Sequence, residues 1–202
     1  MPDTMEFQKV KKFILGKLKK ELPQNLTYHN TRHIKDVFKA ARMLAKIEQV
    51  KGEDLILLLT AVLFHDSGFL WQPYEHEKVS CEIARKYLPV YGYNPGQIER
   101  ICGMIMATKM PQTPHDLLEE IICDSDLDYL GRDDFFTIGL GLYYELSMYG
   151  LLSSRDEWNV LQIRFLEKHK YFTSSARQLR QPKKEEYIAI LKERLNKVNL
   201  PS

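Results

Sequence analysis

The sequence predicts an all-α protein. Three observations carry that expectation: apolar residues recur at spacings of three and four along most of the chain, prolines and glycines punctuate the recurrences, and no stretch alternates long enough to be a strand. At 202 residues, 44% hydrophobic and 28% charged, the chain suits one globular domain able to bury a core without disulfides or a structural metal. No flexible linker divides it. It reads as a single domain over 1–202, with a motif-bearing core over about 25–135 and a C-terminal helical layer over about 132–198.

The first helix is expected over 5–21, where Phe7, Val10, Phe13, Ile14 and Leu18 recur among lysines until Pro23 ends the pattern. A second, over about 30–49, carries Ile34, Val37, Phe38, Ala41, Leu44 and Ala45, with Asn30 or Thr31 as the N-cap and Gly52 beyond its end. The third, about 53–64, is almost wholly apolar and so belongs at the centre of the fold. His65 and Asp66 close it, followed by Ser67-Gly68. An aromatic loop with Trp71 and Tyr74 leads to a fourth helix over about 75–88, and Pro95 opens a fifth that runs to about Thr108. Pro114 is expected to open a sixth that reaches Asp124, Asp126 and Asp128 and stops at Gly131. Three more follow, over about 133–149, 155–170 and 183–198, with a mixed segment from Tyr171 to Pro182 that holds at most a short helix. The pairs Phe135-Phe136 and Tyr143-Tyr144 read as core.

The formal net charge of +2 calls for neither nucleic acid nor an anionic membrane as partner. No run approaches a membrane span, and the N-terminal residues lack the apolar stretch of a signal peptide. Cys81, Cys102 and Cys123 stand apart in apolar helical contexts without a C-x-x-C, so they read as reduced core residues of a cytoplasmic protein.

Polar groups interrupt the apolar helices in one pattern. His33 lies at the start of the second helix, His65 and Asp66 at the end of the third, and Asp126 at the end of the sixth. Groups at helix ends can converge in a bundle, and two imidazoles with two carboxylates suit a divalent cation. A buried polar network would leave the same pattern. His29 lies one turn before His33 and shares its face if the helix starts early. His76 and Glu77 either open the fourth helix as exposed groups favoured by its dipole or serve the site beside His65-Asp66; Lys109 is either a loop lysine or a point charge for a phosphate.

Four segments go further: Tyr28-His29-Asn30-Thr31-Arg32-His33, Phe64-His65-Asp66-Ser67-Gly68, His76-Glu77-Lys78-Val79-Ser80 and Asp124-Ser125-Asp126-Leu127-Asp128-Tyr129-Leu130-Gly131. In this order they resemble the HD superfamily of metal-dependent phosphohydrolases, over about residues 25–135. The resemblance implies an HD-domain-like helical bundle with additional C-terminal helices, and His33, His65, Asp66 and Asp126 as ligands of a divalent ion (Mn, Mg, Co, Fe, Ni or Zn). It favours Asp126 over Asp124, because Leu127 and Leu130-Gly131 follow at the family's offsets. Two-metal relatives carry two further histidines. His76 matches the first, but Ala107-Thr108-Lys109 stands where the second belongs, and a protonated lysine is no ligand, so one ion is expected. Phe69 and Leu70 replace the Glu-Asp pair of the guanosine tetraphosphate hydrolases, which argues against that activity.

The expected function is hydrolysis of a small phosphorylated substrate, such as a nucleotide, with Asp66, His76, Glu77 and Lys109 as the catalytic candidates. The alternative is a catalytically idle HD module that binds a nucleotide or a partner protein. The oligomeric state is left open.

Overall fold

A computed structural model describes residues 5–198. Among these the regular structure is entirely helical. The chain forms two compact units that meet in sequence at Leu127 and Asp128.

The first unit holds α1 (Phe7–Glu21), α2 (Thr31–Ile47), α3 (Gly52–Phe64), α4 (His76–Tyr87), α5 (Pro95–Ala107) and α6 (Leu117–Asp126). Its axis is α3. Every residue from Leu57 to Phe64 is buried, and α1, α2, α4, α5 and α6 all pack on this helix. A helix that is apolar all round must be surrounded, and each leucine so enclosed contributes about 2 kcal/mol by leaving water. The amphipathic neighbours supply the enclosure: α1 lays Val10, Ile14 and Leu18 inward, and α2 buries Ile34, Val37, Ala41 and Leu44. Charged residues stay at the rim, where Arg85 of α4 forks onto Glu99 of α5 at 2.8 and 2.7 Å.

Local chemistry sets the helix ends. Asn94 and Gln97 form a reciprocal capping box ahead of α5. At α6 the start differs from expectation. Asp116, not Pro114, controls it: its Oδ1 accepts hydrogen bonds from the Leu118 and Glu119 amides at 2.9 and 3.0 Å, so the helix begins at Leu117. The helix also stops earlier, at Asp126, and a 3-10 turn over Asp128–Gly131 follows. The cysteines are free and buried, as anticipated.

The second unit holds that 3-10 turn, α7 (Phe135–Met148), α8 (Arg155–Lys168) and α9 (Ser174–Val198). Asp128 anchors the turn, accepting from Arg180 Nε at 2.6 Å and Arg132 Nη1 at 3.2 Å. Two expectations are corrected here. The segment before Pro182 is not mixed: α9 runs unbroken from Ser174 and carries Pro182 inside it. Proline removes one amide donor and strains one turn, and packing of α9 against α8 and the 128–131 turn keeps the helix continuous. The second correction concerns α7, where Phe135 is buried as expected but Tyr144 is exposed.

Candidate metal centre

The first histidine segment is positioned by a cap. Asn30 Oδ1 accepts from the Arg32 amide at 2.9 Å, while its Nδ2 donates to the Leu26 carbonyl at 3.1 Å. Both bonds fix where α2 begins, and His33 falls in the first turn with its ring buried. His29 lies before the helix, not in it. It still reaches the same neighbourhood, its ring 6.1 Å from that of His33.

His65 forms the end of α3, and its Nδ1 lies 2.8 Å from the Val62 carbonyl. A carbonyl only accepts, so Nδ1–H is the donor and Nε2 is the nitrogen aimed at the cluster. The backbone on both sides of the His-Asp pair is held by Ser80 of α4. Its buried Oγ donates to the His65 carbonyl at 2.7 Å and accepts from the Gly68 amide at 2.8 Å. Gly68 is required by the close approach: a Cβ there would stand 2.0 Å from the His76 carbonyl oxygen. Ser80 and Gly68 both lie in the segments that carry the resemblance, yet a side chain that bonds only backbone carries no sequence signal of its role.

Three helices thus bring four groups together. His33 Nε2 and His65 Nε2 lie 3.4 Å apart. Asp66 Oδ2 is 3.4 Å from the first and 3.3 Å from the second. Asp126 Oδ1 closes the other side, 3.0 Å from His33 Nε2 and 3.4 Å from His65 Nε2. Of the neighbouring acids, Asp124 is fully buried and Asp128 is bound to Arg132 and Arg180.

The electrostatics suit a cation. Burial alone would drive both carboxylates towards neutrality. The adjacent imidazoles outweigh it: His65 and His76 beside Asp66, and His33 and His65 beside Asp126, hold both acids well below the usual carboxylate range. Burial also disfavours charge on His65, but Asp66 and Asp126 prevail and push its imidazole up to about 9. The groups therefore favour positive charge at their centre. Asp66 Oδ2 is buried and accepts no hydrogen bond, an expense that a coordinated cation removes. His33, His65 and Asp66 each offer one ligand atom, all within 4.8 Å of one another, so the residues fit a divalent ion.

The remaining candidates surround this cluster unevenly. His76 is half-buried, with Nε2 3.4 Å from Asp66 Oδ1 and 3.6 Å from Glu77 Oε1, and Glu77 is buried rather than an exposed helix-start acid. The Phe69 ring lies between two imidazoles, with centroids 4.2 Å from His29 and 4.3 Å from His76. Lys109 is half-buried, and its ammonium lies 3.2 Å from Glu75 Oε1. Trp71 and Tyr74 are exposed in the loop before His76. Tyr93 belongs to the core, its hydroxyl 2.8 Å from Thr60 Oγ1, and Tyr91 packs on Phe13.

Comparison with known proteins agrees with this architecture. Residues 31–130 match the model of the HD domain family. No curated protein matches the chain. Among solved structures, a predicted HD superfamily hydrolase from an uncultured Thermotogales bacterium superposes with a TM-score of 0.62 at 18% identity, over 93% of this chain and 92% of that one. A protein from Lactobacillus plantarum superposes with a TM-score of 0.67 at 19% identity, over 97% of this chain and 99% of that one. At such identities the likeness is one of fold. With the family match and the order of its histidine and aspartate segments, the chain carries an HD domain over residues 31–130 and belongs through it to the HD superfamily.

Proposed function

We propose that this protein is a divalent-metal-dependent phosphohydrolase acting on a small phosphorylated molecule, with a nucleotide as the leading candidate. The observation that carries the reading is Asp66: a buried carboxylate oxygen without a hydrogen bond, facing the Nε2 atoms of His33 and His65. In this proposal His33, His65, Asp66 and Asp126 hold one ion. Such an ion makes water a nucleophile at neutral pH and draws charge from a phosphoryl oxygen.

The chain's own groups supply the rest. In this proposal His76 holds a proton for the leaving oxygen: burial disfavours its charged form, but Asp66, with Oδ1 3.4 Å from Nε2, outweighs burial and raises its pKa. Glu77 lies behind it and favours that protonated form. Lys109 serves as a point charge for the substrate phosphate once it leaves Glu75. The reduced, buried cysteines are in keeping with a cytoplasmic setting, and among the described residues no helix is long and apolar enough to cross a membrane.

The test is phosphate release from a panel of nucleotides and sugar phosphates with Mn²⁺, Mg²⁺, Co²⁺ or Fe²⁺, alongside elemental analysis of the purified protein. Metal-dependent turnover that is lost in Asp66→Ala supports the reading. Ligand binding without turnover under every ion would overturn it in favour of an idle binding module.

A further inference from the structure

Helix α7 leaves large apolar side chains exposed while burying its one acid. It contains one charged residue, Glu145, and that side chain is only 2% exposed, whereas Leu140, Tyr144 and Met148 are 37%, 47% and 61% exposed. A helix facing water ordinarily does the reverse. Steps of four residues put these three on one face. Beyond the helix end, Gly150 takes φ +70 and the chain folds back, with the Gly150 amide bonded to the Ser147 carbonyl and the Leu151 amide to the Leu146 carbonyl. That turn extends the apolar surface with Tyr149, 42% exposed, and Leu151, 69% exposed. The inward side packs on polar and apolar groups alike: a Cβ at Gly139 would lie 3.3 Å from Oε1 of the buried Gln162 and 3.7 Å from the Trp158 ring, and buried Phe135 stacks on Tyr187.

We propose that this face is the interface of a homodimer, with α7 packed against α7 of a second copy of the chain. Five large apolar side chains exposed to this degree amount to roughly 500 Å², near the top of the range for a monomer's largest patch. Half-buried neighbours on the same helix bring the surface towards the about 800 Å² per subunit that a stable dimer buries. The charge pattern selects the partner. The face carries no charge, so it complements itself, while a charged partner would leave its own groups desolvated and unpaired. An anionic bilayer fits poorly, because Asp133 and Asp134 flank the start of the helix and Arg132 is already bonded to Asp128 and Asp134. With a formal charge of +2, two copies repel each other little. A two-fold axis through the middle of the stripe makes the helices antiparallel, which their dipoles favour. Tyr144 then meets its own counterpart, and Leu140 faces Met148 of the second copy.

The test is the solution mass by sedimentation equilibrium at micromolar concentrations. Wild type is expected at twice 23.8 kDa, and Met148→Glu combined with Leu151→Glu at 23.8 kDa with unchanged helical content. Should the double variant misfold, Tyr144→Cys in the wild-type background gives a second reading. A short bismaleimide should join two copies through position 144 within minutes, since the native cysteines are buried. A monomeric wild type would overturn the proposal, whether it floats with phosphatidylserine vesicles or not. So would a folded double variant that dimerises within tenfold of wild-type affinity, or a dimer that the Tyr144→Cys variant forms without cross-linking.

Discussion

His33 Nε2 and Asp126 Oδ1 lie 3.0 Å apart although 93 residues separate them in the chain. The first is fixed by the cap of α2 and the second by the end of α6, two helices packed side by side. That contact joins the two halves of the histidine and aspartate pattern, and it explains why the cluster depends on the whole first unit.

Metal should stabilise the fold. An ion that binds only the native cluster at about a hundredfold over its Kd adds about 2.7 kcal/mol. For a chain of this length the melting temperature should rise by about 5–10 °C. Differential scanning calorimetry of chelator-treated protein with and without Mn²⁺ checks this, and His65→Ala should abolish the increment.

Ser80→Ala should weaken the site without touching a candidate ligand. It leaves the His65 carbonyl and the Gly68 amide without the bonds of 2.7 and 2.8 Å in a buried place. The loss should be about 1–3 kcal/mol in urea unfolding, with several-fold weaker metal binding as the His-Asp backbone loosens. Unchanged metal affinity would show that Ser80 serves the fold alone.

His169 should make the second unit acid-sensitive. Burial, and then the charge of Lys184, whose Nζ lies 3.4 Å from Nδ1, push its imidazole down to about 3. The folded value is below the unfolded one, so the native state holds the ring neutral. Its stabilising contribution is complete above about pH 6.5 and is lost as pH falls towards 3. Urea unfolding of wild type and His169→Gln near neutral pH and near pH 4.5 should differ in slope, wild type losing on the order of 2 kcal/mol more.

What the chain discloses depends on the kind of interaction. The apolar run 55–64 could only be a central helix, because eight consecutive buried residues leave no polar face. That His33, His65, Asp66 and Asp126 come together is legible because residue type, helix-end placement and family order agree. Pro114 competes with Asp116 in the sequence because either residue can open a helix, and only the two amides that Asp116 accepts from decide between them. Pro182 reads locally as a break, and the packing that overrides it is tertiary. Tyr144 reads as core for a similar reason. An apolar helix pattern suits a covered face, and nothing local to it says that Tyr144 stays exposed.

The most direct test of the metal centre is isothermal titration of Mn²⁺ into chelator-treated protein, for wild type and Asp66→Ala. One site per chain in wild type, with at least a hundredfold loss in the variant and intact helical content, is the predicted result. Equal binding by the two proteins, or no binding by wild type, would contradict the assignment of this cluster.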